Sequence, residues 1–121
     1  MSSTESPSFH ASTANALDGY RVQRTFGVVR GIRVRSRGVV GMFGARLQTI
    51  FGGDITLLAD MCERARADAF DAAVRHAELL GANALVAIRY DTAEVMPGVT
   101  EVLCYGTAVR VIALLPGDAT P

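Results

Sequence analysis

The sequence has only two cysteines and no long apolar run. These two features argue against a disulfide-rich protein and against a membrane-spanning helix. No stretch approaches the about 20 consecutive apolar residues that a membrane-spanning helix needs. Residues 1–16 lack the basic region and the apolar region of a signal peptide, so no secretion signal is predicted. Two cysteines are too few for a disulfide framework, and we expect the protein to reside in the reducing cytoplasm.

Lysine is absent, yet the charges balance, because 12 arginines oppose 12 acidic residues. The net charge of zero argues against nucleic acid or an anionic membrane as a partner. A length of 121 residues suits one domain. We predict a single domain over residues 17–115, flanked by flexible tails at 1–16 and 116–121 whose small polar residues bury too little surface to offset the entropy of ordering.

The first half of the domain alternates like a strand. Tyr20, Val22, Phe26 and Val28 fall on one face, and after Gly31 a second extended piece places three arginines on one side. These are Arg33, Arg35 and Arg37. Apolar residues between 43 and 51 then recur at helical spacing and predict a short amphipathic helix that ends at the glycine pair 52–53.

Residues 54–80 are predicted to form a long helix, with Asp54 as N-cap and Gly81 as a left-handed stop. One stripe is charged and is expected to face water: Asp60, Arg64, Asp68, Asp71, Arg75 and Glu78. The remaining circumference is apolar, includes Cys62 and is dominated by alanine. Such a wide face of small residues indicates that the helix is covered from more than one direction.

Two further strands are predicted at residues 83–92 and 100–115, joined by the turn signal Met96-Pro97-Gly98 as an antiparallel hairpin. The first strand has a core, residues 85–88 (LVAI), that is apolar on both faces, and the second is largely apolar on both faces, interrupted by Arg110. One long and one short helix cannot cover both faces of such a sheet. We therefore predict a homo-oligomer that buries the remaining apolar surface and pairs free strand edges between subunits.

The cysteines and histidines do not form a known metal motif. Neither Cys-x-x-Cys nor His-Glu-x-x-His occurs, and Cys62 and His76 lie about 21 Å apart on an ideal helix, too far to share one ion. A soft-metal site built from Cys62 or Cys104 of several subunits is one hypothesis. The alternative is that both are buried structural thiols.

Catalytic signatures are also missing. His76 is the only histidine expected in the folded part, and no Gly-x-Ser-x-Gly motif accompanies it, so we predict a protein without enzymatic activity. A pocket that placed His76 beside an acidic residue of another chain would instead indicate a hydrolase or transferase. Asp91, Glu94 and Glu101 surround the hairpin turn, where they either hold a hard cation or are simply solvated.

Arginine is concentrated between Asp18 and Asp54, a stretch without acids: Arg21, Arg24, Arg30, Arg33, Arg35, Arg37 and Arg46. Interleaved glycines would let this segment contact phosphates, with Arg30, Arg33, Arg35 and Arg37 as the anion-binding candidates. No nucleotide-binding loop motif is present. The alternative is an interface role, in which these arginines pair with acids on a neighbouring subunit's helix: Asp60, Asp68, Asp71 or Glu78.

Several stretches together resemble the YbjQ-like family of small bacterial proteins, which carry a heavy-metal-binding label and no established activity. They are residues 27–37 (GVVRGIRVRSR), 52–53 (GG), 62–66 (CERAR), 81–85 (GANAL), 89–91 (RYD) and 101–109 (EVLCYGTAV). The resemblance extends over about residues 19–113, essentially the whole domain.

The resemblance implies an α/β domain of the α+β type, similar to the dodecin subunit, in which a small antiparallel sheet packs with one long and one short helix. It further implies assembly as a ring-like homopentamer. No ligand set carries over residue by residue. We accordingly expect a cytoplasmic, non-enzymatic, pentameric binding or scaffold protein, with a shared-cysteine metal module and an anion-binding scaffold over residues 21–46 as the alternatives.

Overall fold

The computed structural model describes residues 8–36 and 55–115, which form an α+β domain of one sheet and one helix. Its elements are β1 (His10–Ala11), β2 (Tyr20–Ser36), α1 (Ile55–Leu80), β3 (Ala84–Met96) and β4 (Val99–Ala113). The sheet order is β1-β3-β4-β2. The predicted short helix, together with Asp54 and Arg37, lies outside the described residues.

The helix and the hairpin confirm the sequence predictions. Helix α1 ends at Leu80, and Gly81 follows with the positive φ of 98° that a left-handed stop requires. β3 and β4 pair antiparallel across a tight turn at Gly98, whose φ is 79°. No helix in the described part of the chain is both long and apolar enough to cross a lipid bilayer.

The sheet is mixed, which corrects the prediction of a purely antiparallel one. β2, β3 and β4 are antiparallel neighbours, but β1 joins β3 in parallel through His10 and Ala11. These two residues lie in the segment predicted as a flexible tail, and from residue 8 onwards that prediction is wrong. Backbone hydrogen bonds between residues 10–14 and residues 83–88 hold this segment on the sheet.

β2 is one continuous strand of 17 residues and not two pieces separated by Gly31. Register shifts between Val22 and Arg24 and between Thr25 and Gly27 mark bulges, and Gly27 has a φ of 110°. Each bulge changes which side chains face the helix. The face predicted from simple alternation is therefore wrong, and Val22 and Val28 are exposed.

The core lies between the sheet and α1. Alanines at every fourth helix position, from Ala65 to Ala77, are fully buried against Val29, Leu85, Cys104 and Ala108. The predicted charged stripe lies on the opposite side of the helix and is largely exposed. The sheet face turned away from α1, here called the outer face, is covered near β1 by a second cluster that includes Leu17 and Tyr20.

Candidate functional site

The two cysteines predicted as metal ligands lie in different environments. Cys104 is fully buried beneath α1, whereas Cys62 is exposed on the helix surface. The description of both as buried thiols is right for Cys104 and wrong for Cys62. The buried alanines of α1, here called the alanine seam, recur every four residues from Ala65 to Ala77. The same spacing places the half-buried Met61 in line with the seam and leaves Cys62 outside it.

Tyr90 is the register partner of Cys104 on β3, and its hydroxyl donates a hydrogen bond to the thiol. Burial raises the pKa of Cys104 above its ordinary value of 9.0, and the Tyr90 hydrogen bond opposes that shift. Burial also raises the pKa of Tyr90, and the adjacent Cys104 raises it further. A metal ion bound at Cys104 would have to displace the thiol proton, and the raised pKa makes that step less favourable.

The remaining predicted metal ligands are not brought together. Within residues 8–36 and 55–115, no group of three or more histidine, cysteine or acidic side chains is placed to hold a metal ion. The hairpin acids Asp91, Glu94 and Glu101 lie on the paired strands without forming such a group. His10 packs its ring against Tyr20, with centroids 4.5 Å apart.

His76 lies at the edge of the sheet and bonds to backbone. The Arg30 N–H donates to His76 Nδ1 at 3.3 Å, and the Arg30 carbonyl oxygen lies 3.4 Å from the same nitrogen. The imidazole therefore occupies a position on β2 that another strand would otherwise take. This contact is structural and places no acid beside the ring.

The four candidate arginines do not form one anion site. Arg33 and Arg35 point to the helix side of β2, whereas Arg30 alternates onto the outer face, and Arg37 lies outside the described residues. Arg33 pairs with Asp68 of its own subunit, with 3.7 Å between Nε and Oδ2. Arg35 Nε is buried and makes no hydrogen bond to the described residues.

A cavity of about 440 Å³ opens where the C-terminus of α1 meets β2 and β4. It is lined by Gln23, Arg24, Phe26, Leu80, Gly81 and Arg110. The Arg24 guanidinium lies over the Phe26 ring, 4.9 Å from its centroid. Arg110 Nη1 donates to the Gly81 carbonyl at 3.2 Å, a favourable place for a cation at a helix C-terminus. This cavity is here called the arginine pocket.

The sequence does not predict the arginine pocket, although both of its arginines stand out in the sequence. Arg24 was one of seven in the basic segment, and Arg110 is the isolated charge among the apolar residues 108–115. Their meeting depends on the pairing of β2 with β4, which no local pattern reveals. The useful signal was the isolated charge of Arg110, because a lone arginine in a buried strand needs a reason.

Comparisons with known proteins place this fold in a family. The YbjQ family model, described as "Putative heavy-metal-binding", matches residues 9–112. A UPF0145 protein of Burkholderia thailandensis is 55% identical over 101 residues, which cover 84% of this chain and 91% of the relative. A UPF0145 protein of Solibacter usitatus is 54% identical over 106 residues, covering 88% and 95%.

The fold is also found in a crystal structure. A Pediococcus pentosaceus protein of unknown function, from the DUF74 family, superposes with a TM-score of 0.56 at 16% identity, over 86% of this chain and 98% of that one. At this identity the likeness concerns the fold alone. The family model, by contrast, spans nearly the whole described domain, and the relatives match along nearly their full length. The chain therefore belongs to the YbjQ family.

Proposed function

We propose that the protein is a non-enzymatic binding protein that works as a homo-oligomeric ring of five copies. The number five comes from the resemblance noted in the sequence, and the surfaces of the chain supply the argument for association. The observation that carries the proposal is a set of exposed apolar side chains on the outer face of β2, next to free strand edges at the hairpin end of the sheet.

The outer face of β2 carries exposed apolar side chains on either side of Arg30. Val28, Ile32 and Val34 are 70%, 47% and 55% exposed, and Tyr105 of β4 lies beside them. Helix α1 covers only the other side of the sheet. A second copy of the same chain would cover these exposed apolar side chains.

Both outer strands are unpaired at the hairpin end. In the described part of the chain, no strand lies beyond β2, and β1 pairs only with Ala84 and Leu85 at the start of β3. His76 occupies the β2 edge at Arg30, which leaves residues 32–36 open. The register with β4 places this open stretch at the same end of the sheet as residues 91–96 of β3.

Two different open edges on one subunit favour a ring. When the β2 edge of one copy pairs with the β3 edge of the next, every copy uses both edges, and the chain of contacts closes if the rotation per subunit allows it. Such pairing satisfies the exposed backbone groups of both strands. It also covers Val34, which lies beside the open edge.

The described residues do not fit a soft-metal centre within one subunit, despite the family's heavy-metal description. Cys104 is buried, its raised pKa keeps the thiol protonated, and no cluster of ligands surrounds it. A site shared between subunits would have to rely on Cys62, the exposed thiol. Both cysteines are free, which suits the cytoplasmic location that is part of this proposal.

Native mass spectrometry of protein purified without chelator tests the proposal, because one spectrum reports subunit number and bound mass. We expect a metal-free pentamer. Val34→Lys should dissociate it, since the ammonium group would be buried at the edge. Leu79→Lys is the matched control, because Leu79 is 82% exposed on α1, away from the sheet edge.

Three results would contradict parts of this proposal. A monomeric wild type would overturn the association argument. Dissociation by Leu79→Lys and not by Val34→Lys would move the interface to the helix. A whole number of soft metal ions that disappears in Cys62→Ser would favour the shared-cysteine site instead.

A further inference from the structure

We propose that the arginine pocket binds the phosphate group of a small organic phosphate. This names a ligand class for the binding role proposed above and rests on that role, but it does not depend on how many subunits assemble. Two arginines, Arg24 and Arg110, line the pocket, and no carboxylate is among its lining residues.

Arg24 and Arg110 are directly paired across β2 and β4. Like charges directly opposite each other on neighbouring strands repel and are destabilising. No acidic side chain lines the pocket, and the ion pair that the described residues form elsewhere is Arg33–Asp68. A bound dianion would remove the repulsion, and a phosphate carries the charge that matches two arginines.

Both guanidinium groups are held in place. Arg24 lies over the ring of Phe26, and Arg110 is anchored to the carbonyl oxygen of Gly81. Each contact uses only part of the group and leaves further N–H donors free. Side chains that are already ordered lose less entropy when a ligand binds, so the contacts favour recognition.

The backbone around Arg24 is irregular. Register shifts lie on both sides of the Arg24–Thr25 stretch, and Gly27 has the positive φ that a bulge of this kind needs. β-Bulges redirect side chains and occur often beside functional sites. Here they turn Arg24 and Phe26 together towards the end of α1, where Gly81 and Leu80 complete the pocket.

The pocket also has room and an apolar wall for the organic part of the ligand. A cavity of about 440 Å³ falls within the roughly 300–1,000 Å³ range of small-molecule sites. Phe26 and Leu80 form its apolar side and Gln23 adds an amide. A phosphate monoester with a small flat apolar group satisfies both sides, whereas inorganic phosphate satisfies only the arginines.

Isothermal titration of the full-length protein with phenyl phosphate, inorganic phosphate and benzoate tests the proposal. We expect phenyl phosphate to bind most tightly, and Arg24→Gln to weaken it by about tenfold to a hundredfold, as for a lost charged hydrogen-bonding group. Arg21→Gln is the matched control: Arg21 lies on the same strand, pairs with Ile112 and does not line the pocket. It should bind like the wild type.

A second variant distinguishes the effect of the planar guanidinium geometry from the effect of the positive charge. Arg110→Lys keeps a cation near the end of α1 but loses the planar fork, so we expect intermediate affinity. Circular dichroism confirms that each variant is folded. The proposal is overturned if the wild type binds none of the probes at millimolar concentration, or if Arg24→Gln and Arg21→Gln lose affinity equally.

The same samples distinguish this proposal from the association argument. Light scattering after gel filtration gives the subunit number with and without phenyl phosphate. If the protein is a monomer and Arg24→Gln weakens its binding of phenyl phosphate, the phosphate-site proposal stands and the ring proposal is contradicted. Benzoate binding as tight as that of phenyl phosphate would show a carboxylate site and would contradict the phosphate assignment.

Discussion

Gly31 of β2 lies directly against the backbone of α1 at Ala69, and a methyl group added to Gly31 would overlap the Ala69 carbonyl oxygen and the Ala73 nitrogen. Helix and sheet therefore approach more closely here than any side chain allows. The alanine seam of α1 and Gly31 of β2 form the two sides of one helix–sheet contact. The close approach also brings His76 within reach of the β2 edge.

Gly31→Ala should destabilise the domain by about 1–3 kcal/mol or more, because the overlap involves backbone that cannot rotate away. Urea denaturation at one fixed protein concentration measures the effect, since the stability of an oligomer depends on concentration. Thr25→Ala, at an exposed position of the same strand, is the control and should change stability by less than about 0.5 kcal/mol. Equal stability of Gly31→Ala and the wild type would contradict the close approach.

Just before β3, the side chain of Asn83 makes the hydrogen bonds to Val111 that the backbone of a paired strand residue would make. Its Nδ2 donates to the Val111 carbonyl at 3.0 Å, and its Oδ1 accepts from the Val111 N–H at 2.8 Å. Asn83→Ala leaves both groups of Val111 unpaired and should cost about 1–3 kcal/mol. Thermal unfolding followed by circular dichroism measures this.

Asn15→Ala, at an exposed position, is the control for that experiment. Asn83→Asp should be intermediate, because it keeps the acceptor and loses the donor. If Asn83→Ala were as stable as Asn15→Ala, the two hydrogen bonds would contribute nothing to the pairing of this strand end.

The sequence predicts the elements whose signals are local. The long helix follows from apolar periodicity and Gly81, and the hairpin follows from Pro97 and Gly98. Both are set by residues near each other in the chain. The length of α1 and the alanine seam could therefore be read without knowing the rest of the fold.

Features that depend on distant pairing could not be predicted. β1 contains only His10 and Ala11, and no local pattern marks two residues as a strand. The bulges around Arg24 break the alternation, so Val22 and Val28 are exposed, although simple alternation groups them with Tyr20 and Phe26, which pack against the core. The arginine pocket combines both difficulties, because Arg110 reaches Arg24 only through the paired strands.

Stability should fall at alkaline pH because of Cys104 and Tyr90. Burial raises both pKa values in the folded state, above 9.0 for the thiol and above 10.0 for the phenol. The unfolded chain therefore loses these protons first as pH rises. The stabilising contribution is complete below about pH 9 and is lost as pH rises towards the folded pKa values.

Urea midpoints measured from neutral to alkaline pH test this linkage. Cys104→Ala should show a shallower alkaline decline than the wild type, and Cys62→Ala should keep the full decline. A Cys104→Ala curve parallel to the wild type at every pH would show that the thiol does not contribute.

Exposed Cys62 and buried Cys104 should react with thiol reagents at very different rates. Disulfide exchange needs an accessible thiolate, and Cys104 is both enclosed by α1 and held protonated. We expect one rapidly labelled thiol per native chain and two in urea, with Cys62→Ala abolishing the rapid one. Mass spectrometry of the labelled protein identifies the site. Slow labelling of Cys62 in the assembled wild type, with fast labelling in Val34→Lys, would place α1 inside the interface. Rapid native labelling in Cys62→Ala would mean instead that Cys104 is open to solvent, and the metal hypothesis would then regain its second ligand.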